Sequence, residues 1–480
     1  MKLLAMMMIL LSISVYAVIE EHQDLTGPFN TPEEVTTACL QCHEDVAVDL
    51  MKTRHWQWLG EEFEMKGKKI RLGKKNMLNN FCIDINSNEP RCNSCHAGYG
   101  WADKTFDFTR KDKVDCLACH DNTGTYKKFP TDAGYPVYKQ DEKIMKETGK
   151  VYKKVDFVKI AQNVGKTKTE HCGTCHFYGG GGMAVKPGDK DISLINATPD
   201  IDVHMGKYNM NCSSCHKGEH HKVKGALHAS MAAGQNHFSC TDCHKEENFH
   251  QSKNAKMAKV LDKHAKTVAC ETCHIPVVAK KHPTKTWWDW TSAGDKNRKS
   301  EKDENGMSTY EWKKGNFVWT KELKPEYYWY NGRTDYLLEG EKIANPKEVV
   351  ELNPLHGSLK DPSAKISPFK VMRTKQYYDP VTGFLLIPKL FGKGGYWDSV
   401  DWDQAFKLGM SYAGFEFSGK YEPVETAMYW PLDHMVATKD HTLKCNDCHG
   451  ENGRMNWEAL GYKGDPKKTK DSRVKQGIVK

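Results

Sequence analysis

The stretch EPRCNSCHAGYGW, Glu89–Trp101, holds two cysteines separated by two residues and followed at once by a histidine. Such a pair can be a redox dithiol, half of a zinc site, or the point where a haem is attached to the chain. Repetition decides between them. The pattern recurs as Cys39, Cys42 and His43; Cys92, Cys95 and His96; Cys116, Cys119 and His120; Cys172, Cys175 and His176; Cys212, Cys215 and His216; Cys240, Cys243 and His244; Cys270, Cys273 and His274; and Cys445, Cys448 and His449. These eight copies use sixteen of the seventeen cysteines and leave Cys82 over. Two thiols add across the two vinyl groups of one macrocycle while the adjacent imidazole coordinates its iron, so haem attachment needs both cysteines and the histidine in this register. Zinc would need paired CxxC units or distant histidines, and leaves the histidine after every second cysteine unexplained. A thioredoxin-like pair occurs once, and disulfides have no use for the histidine. Eight covalently attached haem c groups are therefore the expected cofactors.

The N-terminus points to the compartment where such haems are attached. Lys2 is followed by an apolar run, Leu3–Val15, and by Val15-Tyr16-Ala17, a small-residue cleavage pattern. Residues 1–17 read as a signal peptide, so the mature protein is expected in the periplasm, peripheral to a membrane at most. The run is short for a bilayer span.

Composition poses a folding problem that the haems resolve. With 480 residues and only 39% hydrophobic, and a mean hydropathy of −0.70, the chain is poor in core-forming side chains. Eight macrocycles bring apolar surface of their own. The expected fold is mainly α with much irregular structure and few strands, a multihaem cytochrome c fold organised around its haems, with a short helix at each CxxCH. The net charge of +8 comes from scattered basic residues that haem propionates offset, which reads as a solvated surface and not as a nucleic-acid site.

Successive motifs are 53, 24, 56, 40, 28, 30 and 175 residues apart, so the chain is no simple repeat array. Residues 18–290 form a haem-rich region with seven sites, 291–444 a haem-free belt, and 445–480 the eighth site and a tail. Nine of the thirteen tryptophans lie between Trp287 and Trp430, in clusters such as TWWDW and PEYYWYNGR. Their large rings suit packing against haem faces. Within the belt, Asp401–Gly414 has an amphipathic helical pattern that Gly414 would stop. Gly179–Gly182 and Thr291–Gly306 read as loops.

Electron-transfer haems take a second histidine on the far side of the iron, and His55, His204, His221, His264, His434 and His250 are the preferred candidates, followed by His228 and His282, with His220, His237 and His441 competing. A chain with two histidines on every iron is a wire; an enzyme needs one exchangeable position. The unpaired Cys82 and the pair Asp156 and Lys159 in VDFVKIAQNVG stand out as residues near such a position. At i, i+3 the latter two are expected on one face of a helix.

The stretches FCIDINSNEPRCNSCHAGYGW, VDFVKIAQNVG, CGTCHFYGGGG and VETAMYWPLDHMVA resemble the periplasmic octahaem cytochromes of the tetrathionate reductase family, over nearly all of the mature chain and all eight motifs. The resemblance implies that the haem on Cys92, Cys95 and His96 is catalytic, that Lys159 replaces histidine as its distal ligand, and that Asp156 and Cys82 complete the pocket. It also implies a small inorganic substrate such as tetrathionate, nitrite or hydroxylamine, and a quinol-linked or small cytochrome donor. Pro187, in VKPGD, stands where the family often has a histidine, which leaves His171 or another residue to take that role. No CxxCK motif occurs, which counts against the nitrite reductases that use a proximal lysine. The alternative to a reductase is a non-catalytic conduit for electrons.

Overall fold

The computed structural model describes residues 22–179, 182–225, 238–245, 249–250 and 254–479. The expected signal peptide, His228 and His237 lie outside the described residues. Among the described residues no helix is long and apolar enough to cross a membrane.

Local structure at the motifs follows from the spacing of their ligands. A turn of helix places residues i, i+3 and i+4 on one side, which points two cysteines and a histidine the same way. Each motif accordingly lies in or beside a helical turn: Pro32–Leu40, Glu89–Cys92 continued by a 3-10 turn to Cys95, Leu117–His120, Thr169–His176, Cys212–Cys215, a 3-10 turn at Cys240–Asp242, Cys270–His274 and Cys445–His449. Between them the backbone is largely irregular, in keeping with the expected fold class.

The chain forms two compact units. The first comprises the chain up to Trp58, Asn88–Cys175 and Gly218–Lys222; the second comprises Leu59–Ser87, His176–Lys217 and Val223–Lys480. The first holds three whole motifs and the cysteines of the fourth. Its core joins Val35, Tyr99, Leu117, Tyr126, Val155, Phe157 and Ile160, and a hairpin of Glu142–Met145 with Lys150–Lys153 stands beside the segment that carries Asp156.

The second unit is built on a seven-stranded sheet, and most of the strand content among the described residues is gathered there. In chain order its strands are β1 (Thr284–Asp289), β2 (Tyr310–Glu311), β3 (Gly315–Thr320), β4 (Glu326–Tyr330), β5 (Val350–Glu351), β6 (Lys365–Tyr378) and β7 (Glu422–Pro431). One edge of the long β6 pairs antiparallel with β7 along ten residue pairs, from Phe369↔Pro431 to Tyr378↔Glu422. Its other edge is shared: β4 covers Lys365–Phe369, and β1 lies parallel to Arg373–Lys375. The aromatic-rich stretch supplies the core against this sheet. Trp288 stacks on Trp290 at 4.5 Å, and Tyr396 on Trp402 at 3.7 Å between ring centroids. Trp402 opens helix α1 (Trp402–Ala413), where Asp401 accepts the N–H of Gln404 and Gly414, at φ 84°, ends the helix as the sequence pattern requires. The fully buried Lys370 of β6 donates to the carbonyls of Val185 and Lys186 and, at 2.7 Å, to the Thr284 hydroxyl, so its ammonium ties three segments together.

Candidate functional site

Five motif histidines face a second imidazole. Ring centroids are 6.4 Å apart for His43 and His22, 6.4 Å for His120 and His221, 6.1 Å for His216 and His434, 6.2 Å for His244 and His204, and 6.1 Å for His449 and His264. Metal–nitrogen bonds of about 2 Å on opposite sides of one ion hold the two ring centres roughly 6 Å apart. The spacing is too wide for ring stacking and fits one iron between each pair, so the residues present fit haem. Four of these partners, His204, His221, His264 and His434, are among the sequence candidates. His22 was not singled out, because nothing in its surroundings distinguishes it from a surface residue near the chain start.

The other candidates are placed less simply. His250 donates to Asp262 at 2.9 Å. Burial lowers the proton affinity of His274, and the charges of His250, His244 and His204 act in the same direction. His55 is exposed on the helix Arg54–Gln57, its carbonyl accepting the N–H of Ala97; the protein atoms crowding its ring, then the Arg54 charge, lower its proton affinity. His171 spends both ring nitrogens on backbone: Nδ1 accepts the Lys168 N–H at 2.8 Å and Nε2 donates to the Asp121 carbonyl at 2.6 Å. In this arrangement it braces the chain between Lys168 and Asp121.

Cysteines of different motifs adjoin. The sulfurs of Cys39 and Cys116, of Cys95 and Cys175, and of Cys240 and Cys270 are within hydrogen-bonding range. Each of these sulfurs would anchor a different haem, so the attachment points of neighbouring motifs adjoin there.

His96 sits in a box of aromatic rings. Its ring is packed by Trp56, Trp58, Trp101, Phe106 and Phe108 at 5.0–6.2 Å, and its Nε2 lies 2.7 Å from the Trp56 carbonyl. Taking iron on Nε2 requires the ring to leave that carbonyl. Gly98 is what admits the box: a Cβ there would fall 2.6 Å from the Trp56 ring and 2.9 Å from His96. Behind it, Lys128 pairs with Asp115 at 2.8 Å, with side chains 7% and 0% exposed. Asp115 also accepts the hydroxyls of Tyr99 and Tyr126 at 2.8 and 3.0 Å. Burial, then the Asp115 charge, pushes both phenols well up, which keeps them donors. This charge-compensated network joins the second motif to the third.

Lys159 and Asp156 are both exposed, in the first unit. Their relation departs from the expected shared helix face. Asp156 is the N-cap of the helix Phe157–Ala161, and its carboxylate accepts the backbone N–H of Lys159 at 3.0 Å. Asp, a short polar acceptor ahead of the buried Phe157 and Ile160, favours the cap over the helix interior. An open cleft of about 360 Å³ lined by Pro28, Phe29 and residues 154–158 borders Asp156.

Cys82 belongs to the second unit, packed against the cluster that contains Phe81, Trp288 and Phe317. Its N–H is held by Asn79 Oδ1 at 2.8 Å. Lys285 is nearly buried beneath this cluster, its ammonium 3.7 Å from the Trp288 ring and 3.5 Å from that of Phe317. Two residues along from Cys82 is the buried Asp84, with the Glu339 carboxylate close by. Burial, then the Glu339 charge, raises the Asp84 carboxyl well above its ordinary range.

Sequence and structure comparisons agree on the class. A family model described as bacterial cytochrome c matches residues 285–452. An uncharacterised protein of Archaeoglobus fulgidus is 23% identical over 229 residues, covering 40% of this chain and 76% of its own. The crystal structure of octahaem cytochrome c from Shewanella oneidensis superposes with a TM-score of 0.84 at 46% identity, covering 94% of this chain and 98% of its own. With eight attachment motifs on the page and this likeness over nearly the whole length, the chain belongs to the octahaem c-type cytochromes.

Proposed function

We propose that the protein is an exported reductase in which electrons from a quinol-linked or small cytochrome donor pass along bis-histidine haems to the site of Cys92, Cys95 and His96, where tetrathionate is reduced. Nitrite and hydroxylamine are further candidate substrates. Haem supplies the one-electron chemistry and the metal position at which a small molecule can bind. The carrying observation is the set of imidazole pairs, five motif histidines each facing a second ring at 6.1–6.4 Å, in a chain similar over nearly its whole length to an octahaem cytochrome c. In this reading Lys159 takes the distal position at the haem of Cys92, Cys95 and His96. An amine must shed its proton against a reference pKa of about 10.4, so its hold is weaker than an imidazole's and gives way to substrate. Asp156 serves as the acid beside it, and the Cys82 thiol meets a sulfur substrate by exchange.

An EPR spectrum of the air-oxidised protein, with and without tetrathionate, tests the reading by counting irons that are not bis-imidazole. One such iron, altered by tetrathionate, supports it. A purely bis-imidazole spectrum with no reductase turnover favours the second reading, a conduit without catalysis, for which the five imidazole pairs speak. Cys82→Ser is expected to impair tetrathionate reduction more than nitrite reduction; equal effects would remove the sulfur role.

A further inference from the structure

The second ring nitrogen divides the paired imidazoles into two classes. His120, His216 and His264 direct Nδ1 at backbone carbonyls, those of Gly165, Lys224 and Val260, each at 2.8 Å. His434 and His449 direct it at carboxylates: 3.2 Å to Asp189 Oδ2 and 2.7 Å to Asp465 Oδ1.

Both carboxylates are fixed by the chain. Asp189 has a fully buried side chain, and the same Oδ2 accepts the N–H groups of Asp433 at 2.9 Å and His434 at 3.1 Å. Lys190 stands 3.8 Å from its Oδ1. Asp465 is 10% exposed and accepts the Lys467 N–H at 2.9 Å. Both acids are thus held as oriented anions by backbone donors.

A carbonyl offers the Nδ1 proton a neutral dipole, whereas a carboxylate offers a full charge in a poorly solvated place. The stronger acceptor draws the proton away and gives the opposite nitrogen imidazolate character, which stabilises the ferric over the ferrous state. We infer that Asp189 and Asp465 depress the reduction potentials of the haems on the fifth and eighth motifs below those of the carbonyl-supported site on the third motif. This inference rests on the reading of the paired imidazoles as axial ligands. Electrons then do not rest on these two haems but pass through them.

The test is a spectroelectrochemical titration of the haem-loaded protein, with EPR of its oxidised form, for D189N and D465N. In each variant one haem moves to a higher potential, its low-spin g-values change, and the two moves add in the double variant. Titrations that superpose on the parent protein's overturn the inference. H434A and H449A separate this failure from failure of the ligation reading: each should cost one bis-imidazole signal, and retention of all such signals removes the axial assignment and the inference with it. Should D189N fail to take up haem, D465N decides alone.

Discussion

At the scale of single residues, the proposed catalysis turns on Lys159. Lys159→Ala is expected to convert one haem to a high-spin or aquo form in the visible and EPR spectra and to change turnover sharply; an unchanged spectrum would refute the assignment. Asp84 allows a prediction about stability. Its carboxyl titrates higher in the folded protein than in the unfolded chain, because burial and then Glu339 disfavour its charge. The folded state therefore keeps this proton, a stabilisation complete below the ordinary carboxylate pKa and lost as pH rises through the raised value. Asn at this position retains an acceptor for the Asn86 N–H, which Asp84 holds at 2.7 Å, without the charge. Thermal unfolding of Asp84→Asn should match the parent in acid and gain on it progressively towards neutral pH; a constant difference across pH would contradict this. The eight motif triplets were legible residue by residue, because attachment chemistry fixes type and spacing together. His22, Asp189 and Asp465 were not, since a partner that matters by distance in space leaves no mark on local sequence.

At the scale of elements, the box around His96 depends on one position without a side chain. Gly98→Ala puts a methyl into the Trp56 ring and within 2.8 Å of the Lys113 carbonyl, a buried backbone that cannot yield cheaply. The expected result is a loss of stability of about 1–3 kcal/mol, the usual overpacking cost, together with a change in the spectrum of the second haem alone; a wild-type spectrum would show that the box does not set that haem's surroundings. The helix Trp402–Ala413 could be read from its pattern, its Asp cap and its terminal Gly, all local signals. The seven-stranded sheet could not. β6 reads KISPFKVMRTKQYY, with a proline and four basic residues, and what makes it a strand is pairing on both edges with segments up to about ninety residues away. Strand propensity is largely tertiary packing, which periodicity does not reveal when both faces are covered.

At the scale of the whole molecule, the polar composition made sense only with the haems included, and that remains the most direct thing to test. Expressed without haem attachment, the chain is expected to give little fixed tertiary structure in near-ultraviolet circular dichroism; a cooperative native-like transition without haem would mean that the aromatic sheet folds by itself. The pairing of imidazoles carries a temporal consequence as well. The partners of His43, His244 and His449 precede them in sequence, at His22, His204 and His264, so a chain emerging N-terminus first can close these centres as soon as each motif appears. His120 waits for His221, in the short Gly218–Lys222 segment that returns to the first unit, and His216 waits for His434. Maturation is thereby staggered: two centres stay half-built until later segments emerge, and truncation just before residue 434 should strand the centre of the fifth motif while that of the first matures normally.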